Sequence, residues 1–301
     1  MTSYKREYEL TFVPTMDDTS NVLAGIIEQS NSVVFSQTAK RVGLMIDFNI
    51  TKSETKGENV GIIGITNPSK DTIASLQKDG VVTLKVGYKA DIATILVGSK
   101  DSVSYYDNGG SKRIELSVLE GKASYKQSYM SQNFPLGTTN IQIITEIANH
   151  IVSNVPSVES LNPFIIFDFK SYQFPQVLVG DAFDLLDNFL KPIGYKYFIN
   201  KGVLNIVEKN TPLKDLPVIL GPHNGMIGSP KPIMDSSDPT KSTSGIEVMS
   251  IINYNFDIGR LLSISSEQIN GIYKISSVNF TGNSYEGDWI SNIRAVEYNG
   301  F

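Results

Sequence analysis

The 301 residues include 26 basic and 31 acidic side chains, a net charge of −5, and no cysteine. The lack of cysteine excludes disulfides and thiolate metal sites, so packing and assembly must hold the fold. Basic residues stand in runs of two, such as Lys112-Arg113, which excludes the clustered cationic surface that displaces counterions from phosphates. No stretch approaches the ~20 apolar residues of a membrane helix. The first residues, Met1 to Leu10, lack an apolar signal core, so synthesis in a cytoplasm without membrane insertion is the expectation. The chain is longer than one ordinary core requires, and its hydrophobic content of 41% supplies a globular interior, which favours two domains, with room for a smaller insert.

From Tyr8 to about Tyr125 the dominant pattern is period-two alternation, as in Leu44-Ile46-Phe48-Ile50 and Val82-Leu84-Val86. This predicts antiparallel strands. One short helix interrupts them, opening at Asn67-Pro68-Ser69, with Ile73 and Leu76 on one face and Gly80 as a stop. Asn108-Gly109-Gly110 supplies the positive φ of a hairpin between Val103–Tyr106 and Ile114–Val118. Lys126 to Gly137 is polar and aperiodic and is expected to be a connector. Thr139 with Gln142 fits a capping box ahead of a helix whose apolar face is Ile141, Ile144, Ile147, Ala148 and Ile151, and this helix should pack on a small sheet. A second helix spans about Asp181 to Leu190 and is ended by Pro192. Tyr195–Ile199 and Val203–Ile206 then flank Asn200-Lys201-Gly202 as a hairpin. After Thr211-Pro212, strands are expected over Pro217–Leu220, Gly245–Asn253, Leu261–Ser265, Ile272–Val278 and Trp289–Val296, with Ser229 to Ser244 as an exposed loop. The chain therefore reads as mainly β with an α+β insert: a β domain over residues 1–125, a connector and small α+β domain over 126–210, and a C-terminal β segment over 211–301.

Chemistry-bearing constellations are sparse. His150 and His223 are far apart and are expected to end a helix and to occupy a turn. Asp235 to Asp238 lacks the alternating ligand order of a calcium loop and reads as solvated. Two carboxylate pairs invite comparison with a glycoside-hydrolase dyad. Asp181 and Asp184, however, suit the first turn of a helix, and Glu286-Gly287-Asp288 suits a turn tip. No nucleophile elbow, phosphate loop or dinucleotide fingerprint is present. No catalytic, cofactor-binding or metal-ligating residue is therefore assigned, and no cofactor is expected.

Two sets of short motifs carry a resemblance. Gly225-Met226-Ile227-Gly228-Ser229-Pro230 precedes Gly245–Ile252, Leu261–Ser265, Gly271-Ile272-Tyr273-Lys274-Ile275 and Gly287-Asp288-Trp289. Nearer the start, Phe48-Asn49-Ile50-Thr51-Lys52 leads to Asn59, Ile63, Asn67, Leu76, Val86-Gly87-Tyr88 and Gly98, and Gly194-Tyr195 and Gly202-Val203 lie between the two sets. In this order the chain resembles bacteriophage baseplate hub proteins of the contractile-tail type. The resemblance implies a non-enzymatic virion protein with two tube-type, β-barrel-like domains flanking the α+β domain. It further implies a homotrimer whose six tube-type domains form a pseudo-sixfold ring between the hexameric tail tube, or a tube-initiator ring, and a trimeric spike. Other baseplate proteins would surround the ring, and its channel would pass DNA, without specific binding, and the tape-measure protein. Unpaired edge strands joined between subunits would close such a ring. Two alternatives remain open at this level: a distal tail or tube-terminator protein, and a cell-wall-degrading or carbohydrate-binding tail protein supported by the aromatics and the two carboxylate pairs.

Overall fold

The computed structural model describes residues 5–15, 32–38, 42–54, 59–107, 109–121, 128–168, 170–238 and 241–298. The strands are β1 (Arg6–Pro14), β2 (Val33–Gln37), β3 (Ile46–Ser53), β4 (Asn59–Thr66), β5 (Gly80–Tyr88), β6 (Asp91–Asp107), β7 (Lys112–Glu120), β8 (Tyr129–Phe134), β9 (Ser160–Leu161), β10 (Gln176–Asp181), β11 (Tyr195–Asn200), β12 (Val203–Glu208), β13 (Val218–Leu220), β14 (Met226–Asp238), β15 (Lys241–Ile251), β16 (Leu261–Ser265), β17 (Asn270–Asn283) and β18 (Trp289–Glu297). The helices are α1 (Lys70–Leu76), α2 (Asn140–Asn154) and α3 (Ala182–Leu190).

Thirteen strands drawn from both ends of the chain form one sheet, in the order β14-β15-β18-β17-β3-β4-β7-β6-β5-β1-β2, with β16 beside β17 and β13 parallel to β16. Strand β17 makes this continuity. One of its edges pairs with β18 over Tyr273–Gly282, while the other is divided between β16, over Asn270–Lys274, and β3, over Ser277–Asn283. Alternation places Ile46, Phe48 and Ile50 of β3, Leu10 and Phe12 of β1, and Phe280, Ile293 and Ala295 of the C-terminal strands in a single buried cluster. At the seam Phe48 meets Trp289 edge to face, with ring centroids 5.2 Å apart. Gly282 makes this contact possible, because a Cβ there would stand 2.3 Å from the Phe48 ring.

The α+β segment has its own buried cluster, in which Ile143, Ile144, Ile147 and Ile151 of α2 face Leu186 and Leu190 of α3 and Leu204 and Ile206 of β12. The Thr139–Gln142 capping box forms as expected. Pro192 falls in a 3-10 turn over Lys191–Ile193 that ends at left-handed Gly194. Lys201 (φ 53°) and Gly202 (φ 77°) make the tight turn between β11 and β12, the backbone that right-twisted strands favour.

Three expectations are corrected. Ser229 to Ser244 is not a loop, since most of it belongs to the antiparallel pair β14–β15. Its prolines read as loop residues, yet β14 is an edge strand, where the missing N–H of Pro230 and Pro232 costs little. The connector Lys126 to Gly137 contains β8, paired with β10, with Met130 and Phe134 buried and Tyr129, Ser131 and Asn133 outward, a pattern too short to register as a period. Strand β6 also begins earlier than Val103, at Asp91, because Lys89 (φ 49°) and Ala90 (φ 66°) form a hairpin turn without the usual Asn or Gly. Asn108, part of the expected β6–β7 turn, lies outside the described residues, and Gly109 there has φ 75°.

Candidate functional site

The polar residues singled out in the sequence are dispersed. His150 lies near the end of α2 and its Nε2 is 3.1 Å from the Tyr129 carbonyl, tying the helix to β8. His223 is exposed in the turn before β14. Asp181 caps α3, accepting from the amides of Phe183 (2.9 Å) and Asp184 (3.3 Å) and from the Ser128 hydroxyl. Asp184 sits in the first turn, where it opposes the helix dipole. Glu286 and Asp288 are exposed in the β17–β18 turn, where Asn283 Oδ1 accepts the Glu286 amide. Asp235 and Asp238 lie in β14; their side chains are outside the description. Among the described residues no group of three His, Asp or Glu is placed to hold a metal ion, and no helix is long and apolar enough to cross a membrane.

The dense polar chemistry lies elsewhere, where the tip of the β11–β12 hairpin enters the sheet. The Glu120 carboxylate is fully buried and takes an ion pair from Lys52 Nζ at 3.0 Å, a 2.6 Å bond from Asn59 Nδ2, and a 2.5 Å bond from the Lys201 amide. Lys52 Nζ also donates to Asn200 Oδ1 (3.1 Å), and Asn59 Nδ2 to the Ile199 carbonyl (2.9 Å). Asn200 Oδ1, the Ile199 carbonyl and the Lys201 amide of the hairpin tip thus find partners on β3, β4 and β7, as burial at low dielectric requires.

Around this centre Lys201 Nζ reaches Asp257 (2.7 Å) and the Tyr254 carbonyl (2.6 Å), and Glu54 takes both Lys196 (2.9 Å) and Lys274 (3.2 Å). Burial pulls Lys196 and Lys201 below the ordinary lysine range, opposed by Glu54 and Asp257 respectively. Sequence reasoning missed this joint, although a signal was present. The inward phase Ile46-Phe48-Ile50 continues onto Lys52, and Ile114-Leu116-Val118 onto Glu120, so the two strands that flank β4 end their apolar phase on opposite charges.

The sheet face away from the core carries paired charges beside exposed apolar side chains such as Val60, Ile62 and Met249. Arg113 bridges Asp47 (2.5 Å) and Glu115 (3.4 Å), Lys85 meets Glu9 (2.8 Å), and Arg294 meets Glu247 (3.8 Å). Along the β3–β17 seam Asn279 donates to Asn49 (2.7 Å) and Thr51 (2.9 Å), and Thr281 donates to Asn279 (2.9 Å). Each of these three cations already has a carboxylate partner rather than standing ready to hold a phosphate. Among the described residues, no strand pairs with the outer side of β2 or of β14, the two ends of the sheet.

No protein-family model and no curated protein matches the sequence. Solved structures do match. A tail protein from Neisseria meningitidis superposes with a TM-score of 0.60 at 10% identity, covering 96% of each chain. The 43 kDa tail protein of prophage MuSo2 from Shewanella oneidensis gives 0.56 at 13% identity, over 88% of this chain and 94% of that one. An Escherichia coli component of the type VI secretion system, itself described as similar to the T4 bacteriophage tail proteins gp27 and gp5, gives 0.59 at 11% identity, over 85% and 74%. A curled, mainly β half-barrel sheet with a small helical insert is thus the fold this chain has in common with phage tail proteins and with a component of the type VI secretion machinery.

Proposed function

We propose that the protein is the structural hub of a contractile-type phage tail baseplate, a virion component without catalytic activity. The supporting observation is the shared fold with tail proteins over nearly the whole chain, insert included. On this reading residues 1–125 and 211–301 contribute two tube-type halves to the common sheet, flanking the α+β unit of 126–210. Three copies then present six halves as a pseudo-sixfold ring. The ring adapts the hexameric tail tube, or its initiator ring, to a trimeric spike and is held by other baseplate proteins.

Two features fit this role. The sheet ends in two different edges, so the β14 edge of one copy can meet the β2 edge of the next, a head-to-tail contact that closes when the rotation is 120° in a three-membered ring. On the outer face Arg113, Lys85 and Arg294 are already paired with carboxylates, which suits a wall past which DNA and the tape-measure protein slide without being held.

The test is the native mass of the full chain, alone and mixed with a candidate trimeric spike. Three copies of the 33.1 kDa chain, formed unaided or on adding the spike, are expected. A hexamer overturns the hub in favour of a distal tail or tube-terminating protein. A monomer indifferent to every tail component overturns it altogether.

A further inference from the structure

We propose that the joint between the hairpin tip and the sheet is breakable, so that the α+β unit undocks as a rigid body while both cores stay folded. This inference does not depend on the hub reading. The two buried clusters share no residue, so separation leaves each intact. What joins them is largely polar: the ion pairs Lys196–Glu54 and Lys201–Asp257, and hydrogen bonds from Lys52 to Asn200, from Asn59 to the Ile199 carbonyl, from the Lys201 amide to Glu120 and from Ser99 to Ser157, while the Lys52–Glu120 pair lies on the sheet side, fully buried where the hairpin tip docks.

Buried ion pairs give up hydration to form, and most of that loss is recovered when they open into water. An interface of this kind is closer to balance between closed and open than an apolar one of equal size. Of the buried apolar residues described, only Val97, Leu119, Phe198 and Ile258 fall outside the two clusters. Phe198 lies against the Gly259 backbone, and Val97 faces Gly202, all outside both clusters. At the two crossings between sheet and unit the chain carries Gly121 (φ 84°) and Asn210 (φ 69°).

Because the chain has no cysteine, spin labels can be placed at only two sites. Ala74→Cys on α1 and Asn149→Cys on α2 are both exposed, one on each side of the joint. Pulsed dipolar spectroscopy on the full chain should show one dominant distance. Lys52→Ala strands the Glu120 charge when closed and is expected to shift the equilibrium toward the open form by ~100-fold or more. A second, longer distance should then appear while amide protection persists in both cores. Lys201→Ala, at the rim of the joint, should do the same more weakly. Lys52→Ala combined with Glu120→Gln removes the stranded charge while leaving an oxygen to accept the Lys201 amide, and should restore the single distance. A single distance in both alanine variants overturns the proposal, as does simultaneous loss of protection in both cores, or a second distance that persists when Glu120→Gln is added to Lys52→Ala.

Discussion

Phe280 is fully buried in β17, the strand that joins the C-terminal segment to β3. Replacing it with alanine removes a ring that packs into the common sheet core and leaves a cavity where close-packed neighbours relax only in part. A Phe→Ala change at such a site costs about 3–5 kcal/mol. For a cooperative unit of this size, that lowers the melting temperature by about 6–20 °C. Where the loss is felt is more diagnostic than its size. Because one buried cluster takes side chains from both ends of the chain, hydrogen exchange should accelerate together in β3 and β4, some 200 residues away in sequence, and in β17 and β18. Helix α2 and strand β12, which belong to the other cluster, should keep most of their protection. Faster exchange confined to β16–β18, with β3 and β4 unchanged, would refute the claim that the two segments share one core.

Two further outcomes follow from local geometry. Ala90 holds φ 66° in the β5–β6 turn, a conformation that costs a residue with a Cβ about 1–2 kcal/mol; Ala90→Gly should therefore raise the urea midpoint without changing the slope. The Tyr8 hydroxyl is buried and donates to the Leu44 carbonyl, and burial, with Tyr285 adding a smaller effect, lifts its ionisation well above the ordinary tyrosine value of 10.0. The unfolded chain ionises first as pH rises, so the stability from Tyr8 is fully present below pH 10 and falls away above it. Tyr8→Phe should flatten that alkaline decline in melts recorded from pH 9 to about 11.5, and an unchanged slope would show that Tyr8 is not its source.

Much of this protein is legible in local chemistry. The Thr139–Gln142 box, the apolar face of α2, the tight turn at Lys201-Gly202 and the alternation of β3, β5 and β7 each follow from interactions within a few residues, so the sequence specifies them without knowledge of the rest. Edge position, pairing across the chain and burial of charge are not local quantities. Pro230 and Pro232 are compatible with a strand only because β14 happens to be the last in its sheet. That β17 pairs with β3 depends on which edges meet across more than 200 residues, which no period records. Lys52 and Glu120 are the instructive pair. Their alternation phase already places them on the core side, but whether such charges are tolerated depends on partners from another unit, and only the folded chain brings Asn200 and the Lys201 amide to meet them.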